Sequence, residues 1–207
     1  MTVEQSAIGK FVGTHRINLL RLSFVIAVPL LLFSKSVWDT GNWISETVDM
    51  IGLFLIITAV LGRFWAIIYI GGRKSNLVFQ DGPYSIARHP LYLFSTIGTV
   101  GFGLMMGSIV LTVLLAGVTF LILNSTAEQE EQFLRTTYGS DYDEYAARVP
   151  RIIPNFSLFE TEKTSTFSIG ELRANMFDAL VFLAFIPLSE VLEIVKRLEV
   201  LPTFPLF

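Results

Sequence analysis

Long apolar runs alternate along this chain with short polar blocks, at a spacing that suits helices crossing a bilayer. Runs at 17–33 and 50–70 are each long enough for a span, with Arg21 near the start of the first. After His89 the next charged residue is Glu128. One helix over that stretch would be roughly 55 Å long against a hydrocarbon core of about 30 Å, so the chain must fold back. Gly101, Gly103 and Gly107 relax the backbone and place the turn at 101–108. Four transmembrane helices are therefore expected, the third and fourth forming a hairpin.

Past the hairpin the fourth helix is expected to leave the membrane and continue through Leu134, with Gly139 as its C-cap. Asp141 with Glu144 resembles a capping box opening a short helix to Ala147. Pro150 and Pro154 hold an extended stretch, and 155–170 reads as a linker rich in Ser, Thr and Glu. The segment 171–198 is helical, but its uncharged core, 179–189, is too short to span. Leu188, Val191, Leu192 and Val195 share one face, with Glu190, Glu193, Lys196 and Arg197 elsewhere. This pattern predicts an amphipathic helix on the membrane surface or packed on the bundle, with a fifth span as the alternative.

Composition agrees. Of 207 residues, 52% are hydrophobic and 16% charged, and the mean hydropathy is +0.60; a soluble domain carries about 25% charged residues. The chain reads as one all-α membrane domain, 1–207, in contact with the lipid bilayer. A net charge of −3 without a long basic run argues against nucleic acid as a partner. The chain has no cysteine, which excludes disulfides, thiolate catalysis and cysteine-ligated metals. Residues 1–16 are mostly polar and no secretory leader is expected.

Basic residues near the helix ends set the orientation. Lys10, Arg16 and Arg21 flank the first span, Arg73, Lys74 and Arg88 follow the second, and Arg135, Arg148 and Arg151 follow the hairpin. The loop between the first two spans has only Lys35, with Trp38 and Trp43 as interfacial aromatics. The N-terminus and the polar segments 71–92 and 125–154 are thus expected on the cytoplasmic side, with small size and the lack of sorting signals favouring a prokaryotic inner membrane.

Those two segments hold the residues capable of chemistry. No glycine-rich nucleotide fingerprint follows a strand, and His15 and His89 lack partners at metal-ligand spacing, so no metal is expected. Tyr84, Arg88, His89, Tyr92, Glu130, Glu131, Tyr142, Tyr145 and Arg148 remain. Each also has a purely structural reading. Arg88 and His89 suit a positive-inside flank, Pro90 the first turn of a helix, Tyr84 and Tyr92 an interfacial belt, and Glu130 with Glu131 a solvated face. Arg63, inside the second span, is expected to snorkel or pair within the bundle.

Order and spacing resemble one family. Gly82-Pro83-Tyr84, Arg88-His89-Pro90-x-Tyr92, an apolar hairpin, Glu130-Glu131, Tyr138-Gly139, Tyr142, Tyr145 and Val149-Pro150 are similar to the isoprenylcysteine carboxyl methyltransferases, relatives of the phospholipid N-methyltransferases. The resemblance covers 77–154 and implies S-adenosylmethionine as methyl donor. Carried over by position, it places the cofactor against Leu77, Val78, Phe79, Tyr84, His89, Pro90, Leu91, Tyr92 and Glu130, with Arg88 and Glu131 as catalytic candidates. His89 or Arg88 would meet the cofactor carboxylate, Glu130 its ammonium or ribose hydroxyls, and Glu131 would act as base toward an amine acceptor.

One position departs from the family pattern. The prenylcysteine enzymes tend to carry an arginine one turn before Glu130, and here that position is Thr126. A neutral or amine-bearing lipophilic substrate then becomes at least as suitable as a prenylcysteine carboxylate. The expected function is methyl transfer to a membrane-embedded lipophilic acceptor. The alternatives are an NADPH-dependent reductase of the sterol-reductase type, which carries a similar Arg-His-Pro-x-Tyr block, and a non-catalytic membrane protein of this fold.

Overall fold

The computed structural model describes residues 25–26, 28–36, 42–70, 78–162, 169–198 and 202–206. Most of the expected first span, with Arg21, lies outside these residues, as do Leu77, Arg73 and Lys74. Its end at 28–33 is helical and leads into strand β1 (Ser34–Ser36). Helix α1 (Trp43–Ile70) follows, its first turn fixed by Glu46 N–H and Ser45 Oγ on the Asn42 carbonyl. At 1.5 Å per residue it is roughly 42 Å long. Its carboxylate Glu46 sits in the first turn, where the helix dipole favours negative charge.

The short helix α2 (Pro83–Ile86) leads into the hairpin of α3 (Pro90–Met105) and α4 (Ile109–Tyr138). Proline opens both α2 and α3, where its missing N–H costs nothing. Gly107, at φ +64°, makes the turn, and Ser108 caps α4 by accepting from the Leu111 N–H at 3.2 Å. Among the described residues, α1 and α4 are long and apolar enough to cross a membrane, and α3 is a shorter apolar helix.

The turn occupies only the end of the expected 101–108, because Gly101 and Gly103 are helical and serve close packing instead. A Cβ on Gly101 would lie 2.6 Å from the Gly52 carbonyl oxygen, and one on Gly103 would lie 2.5 Å from Thr112 Cα. Helices α1, α3 and α4 thus approach backbone to backbone, the usual role of small residues between membrane helices. Ile56, Phe102, Met106 and Leu111 form the core around these contacts.

Gly139, at φ +56°, ends α4 and begins α5 (Ser140–Arg148). The expected capping box of Asp141 and Glu144 does not form: the helix starts at Ser140 with no side-chain cap. Asp141 lies inside the first turn, where its charge suits the helix dipole. The linker is partly built, with Asn155 capping a short 3-10 turn, Phe156–Leu158.

The C-terminal segment is also not one helix. It comprises α6 (Ile169–Leu180), a 3-10 turn (Val181–Ala184) and α7 (Phe185–Arg197). Pro187 has no N–H for the Leu183 carbonyl and its ring crowds that carbonyl, which breaks the α-helical ladder there. The Phe185 N–H turns to Phe182 and Leu183 instead.

This segment packs along the bundle. Phe182 lies against Gly98, Phe185 packs on Phe102 with the rings tilted and their centroids 4.7 Å apart, and Ser189 Oγ is 4.0 Å from Met105 Sδ. Strand β2 (Phe204–Leu206) then pairs in parallel with β1, next to the hairpin turn, where Ser36 Oγ donates to the Gly107 carbonyl at 2.8 Å.

The glycine contacts make a direct prediction. Gly52→Ala and Gly101→Ala should each lower stability by about 1–3 kcal/mol through overpacking. Gly117, where an added Cβ would have nothing within 4 Å, should accept alanine with no loss, or a gain of up to ~1 kcal/mol. Thermal unfolding in detergent checks this; equal shifts at all three positions would refute the packing argument.

Candidate functional site

Where the hairpin ends opposite its turn, three pieces of chain converge: the stretch 78–92, the polar end of α4 with α5, and the stretch 149–162. The last lies as a strap over the first. Arg88 N–H donates to the Pro150 carbonyl, His89 N–H to Arg151, Asn155 N–H to Ile86 and Gly82 N–H to Glu160, each at 2.9 Å. Ser85 Oγ accepts the Glu160 N–H at 3.0 Å, and Tyr145 OH donates to the Tyr84 carbonyl at 2.7 Å. Underneath, Tyr142, Tyr145 and Val149 form an apolar cluster with Val78, Leu134 and Tyr138. Gly82, at φ +58°, packs against the Tyr69 ring where a side chain would clash.

Glu131, only 3% exposed, is the centre of charge. Arg151 grips it with both ends of its guanidinium, Nε to Oε1 and Nη2 to Oε2, each at 3.0 Å. Arg88 Nη2 lies 3.1 Å from Oε1 and His89 Nε2 lies 3.3 Å from it. Arg88 spends Nη1 on the Ala146 carbonyl at 2.8 Å. The two residues expected to be catalytic, Arg88 and Glu131, therefore face each other.

His89, Tyr92 and Glu130 form a second, more open group. The His89 and Tyr92 rings stack almost parallel, with centroids 5.2 Å apart. Tyr92 OH donates to Glu130 Oε1 at 2.5 Å, and His89 Nδ1 is 3.5 Å from Oε2. The Glu130 side chain is half exposed, so this group opens to solvent while Glu131 does not.

Of the other expected cofactor residues, Phe79 meets the buried Tyr84 edge to face at 5.5 Å, and Val78 packs on the tyrosine cluster. Pro90 is buried at the start of α3. The Leu91 carbonyl accepts from Ser95 Oγ at 2.7 Å and, at 3.4 Å, from Arg63, whose Nη1 also donates to Ser95 Oγ at 2.6 Å. Arg63 also lies over the Phe182 ring at 5.3 Å, so it is held inside the bundle as its position suggests. Among the described residues, no group of three or more His, Cys, Asp or Glu side chains could hold a metal.

Residues 47–141 match the model of the phospholipid methyltransferase family. The chain is 32% identical to protein-S-isoprenylcysteine O-methyltransferase of Schizosaccharomyces pombe over 39% of this chain and 34% of that protein. It is also 32% identical to protein-S-isoprenylcysteine O-methyltransferase B of Arabidopsis thaliana over 54% and 60%. The chain belongs to the isoprenylcysteine carboxyl methyltransferase family. A likeness over nearly the whole chain is to the nickel-cobalt-cadmium resistance protein NccN of Alcaligenes xylosoxydans xylosoxydans, at 34% identity over 97% of this chain and 93% of that protein. No solved structure matches.

In this methyltransferase family member, Tyr84 OH, Arg88 Nε and Gln129 Nε2 are buried with no hydrogen-bond partner among the described residues, and His89 Nε2 has only its 3.3 Å contact with Glu131. A native interior rarely leaves such atoms unsatisfied without a ligand or water to meet them. Sequence reasoning counted Arg151 among the positive-inside residues and gave it no role in the site. The signal was its place directly after Val149-Pro150, where the strap crosses His89.

Burial lowers the pKa of His89 from its ordinary 6.5, outweighing the pull of Glu130 and Glu131, and Arg88 adds to the depression. The ring is therefore neutral at pH 7. A depressed histidine contributes stability that is fully present above 6.5 and lost as pH falls through its folded value. Nitrogen-15 spectra of the two histidines should show His89 still neutral at pH 6.5. His89→Asn should flatten the acid side of the melting-temperature profile. A His89 ring that is mostly protonated at pH 6.5 would contradict the assignment.

Proposed function

We propose that this chain transfers a methyl group from S-adenosylmethionine to a lipophilic acceptor drawn from the bilayer, at the cytoplasmic face of a prokaryotic inner membrane. The observation that carries this reading is the open His89–Tyr92–Glu130 group, with orphaned polar atoms beside it, at the end of an apolar hairpin in a member of a methyltransferase family.

The residues fit the cofactor. His89, Tyr84 and Gln129 offer donors for its carboxylate or base, and Glu130 with Tyr92 offers acceptors for its ammonium or ribose hydroxyls. Leu77, Val78, Phe79, Pro90 and Leu91 would supply apolar walls. When bound, the cofactor would supply a methyl on a cationic sulfonium: an acceptor lone pair would bond to that carbon as the C–S bond breaks, with the neutral thioether as leaving group. The protein aligns the two and excludes water.

Glu131 suits the role of base poorly, because a carboxylate already paired to Arg88 and Arg151 has little call on an acceptor's proton. We read Glu131 and Arg88 as holding the pocket. The acceptor is then a group that needs no strong base, such as a thiolate, a carboxylate or a neutral amine. At Thr126, the family's arginine position, Oγ1 donates to the Ile122 carbonyl of its own helix at 2.9 Å. That position offers no cation to an anionic acceptor, which favours a neutral or amine-bearing lipid.

His89→Ala or Glu130→Ala should abolish S-adenosylhomocysteine binding, measured by calorimetry in detergent, while the bundle still melts cooperatively. Wild-type protein should not bind NADPH; binding of NADPH alone would replace this reading with a reductase.

The C-terminal segment follows the bundle from the site to the hairpin turn. Its 29 residues, 169–197, extend roughly 43 Å, more than a hydrocarbon core of about 30 Å. We propose that it crosses as a further span. The cysteine-free chain allows a clean test. Thr203→Cys should react with an impermeant maleimide on intact cells and Ser157→Cys only after permeabilisation. Labelling of both only after permeabilisation would show that the segment does not cross.

A further inference from the structure

We propose that Arg151 is a positioning residue for the cofactor pocket: its guanidinium fixes Glu131, its carbonyl holds the His89 amide, and together they set where His89 and Glu130 present their polar atoms. This rests on the methyl-transfer reading above.

The geometry is specific. Glu131 Oε1 carries three contacts, from Arg151 Nε, Arg88 Nη2 and His89 Nε2, whereas the contact on Oε2 is Arg151 Nη2 at 3.0 Å. A bidentate arginine fixes the plane of a carboxylate, which a single point charge does not. With that plane fixed, Oε1 is aimed at His89, whose ring is stacked on Tyr92. Tyr92 in turn holds Glu130. Arg151 is thus two contacts from the ring that faces the pocket, and it reaches His89 a second time through the backbone, His89 N–H to the Arg151 carbonyl at 2.9 Å.

The surroundings support a role in orientation. Asn124 Oδ1 accepts weakly from Arg151 Nη1 at 3.4 Å, and Glu128 on α4 and Tyr142 on α5 also act on its charge. Arg151 keeps a third of its side chain exposed. Without Arg151, Glu131 would keep Arg88 but lose the partner on Oε2, in a place too buried for water to replace it freely.

The test uses the full chain in detergent, with S-adenosylhomocysteine binding and thermal unfolding measured together. Arg151→Gln and Glu131→Gln should each weaken binding about tenfold or more, and the double variant should be little worse than the worse single one, since both break one unit. Arg151→Lys keeps the charge but not the fork. It should restore the melting temperature while leaving most of the affinity loss.

Losses that multiply in the double variant, or affinity that returns with stability in Arg151→Lys, would reduce Arg151 to a structural ion pair. If Arg151→Gln fails to fold, the lysine variant alone decides between these outcomes. Wild-type affinity in a folded Arg151→Gln would overturn the inference while leaving the methyl-transfer reading intact. Absence of binding in the wild type would overturn both.

Discussion

The site end of this protein depends on one buried carboxylate. Glu131 sits where α4 leaves its apolar stretch, and the partners it gathers come from two other pieces of chain: the Arg88 guanidinium and the neutral His89 ring from the loop before α3, and the Arg151 guanidinium from the strap. Removing one partner from a buried ion pair typically costs about 3–5 kcal/mol, whereas a hydrophobic replacement of the whole set can be neutral. Such a cluster is therefore a costly way to gain stability alone. What it does provide is registration, because three segments far apart in sequence are held to one point.

That registration has a counterpart at the other end of the bundle. Membrane helices gain little from burying apolar surface, since lipid is equally apolar, so they rely on close packing. Gly52 against Gly101 and Gly103 against Thr112 bring α1, α3 and α4 into backbone contact. The tight bundle fixes where α3 begins and where α4 emerges. The strap then needs only a few backbone hydrogen bonds to complete the pocket rim. The order of causes runs from small residues, to helix spacing, to the distance between His89 and Glu130.

Much of this was legible in the sequence. The gap without charge between His89 and Glu128 required a hairpin, and the two polar blocks had to meet beyond it. What was less legible depended on tertiary context. Gly101 and Gly103 look like turn residues until a neighbouring backbone occupies the space their side chains would need. Pro187 breaks the C-terminal helix, yet the apolar face around it hides the break from a periodicity argument. Asp141 and Glu144 have capping-box spacing, but the N-cap is Gly139, two residues earlier. Arg151 looked like one more positive-inside residue because nothing local distinguishes an arginine that pairs from one that is solvated.

The same distinction bears on what the pocket accepts. Positive charge is abundant around the site, but it is committed: Arg88 to Glu131 and the Ala146 carbonyl, Arg151 to Glu131 and Asn124, Arg148 to Gln80, and Arg63 to Ser95 and the Leu91 carbonyl. Drawing Arg88, Arg151 or Arg63 to a substrate carboxylate would strip buried Glu131 or Ser95 of a partner, a cost comparable with what the new contact returns. Thr126 adds no replacement. Glu130, by contrast, is half exposed beside an aromatic pair, an arrangement that favours positive charge through both the carboxylate and the ring faces. On the proposed reading, the sulfonium of the cofactor and a basic acceptor both suit this environment better than an anionic one, which separates this chain's chemistry from that of enzymes built around a prenylcysteine carboxylate.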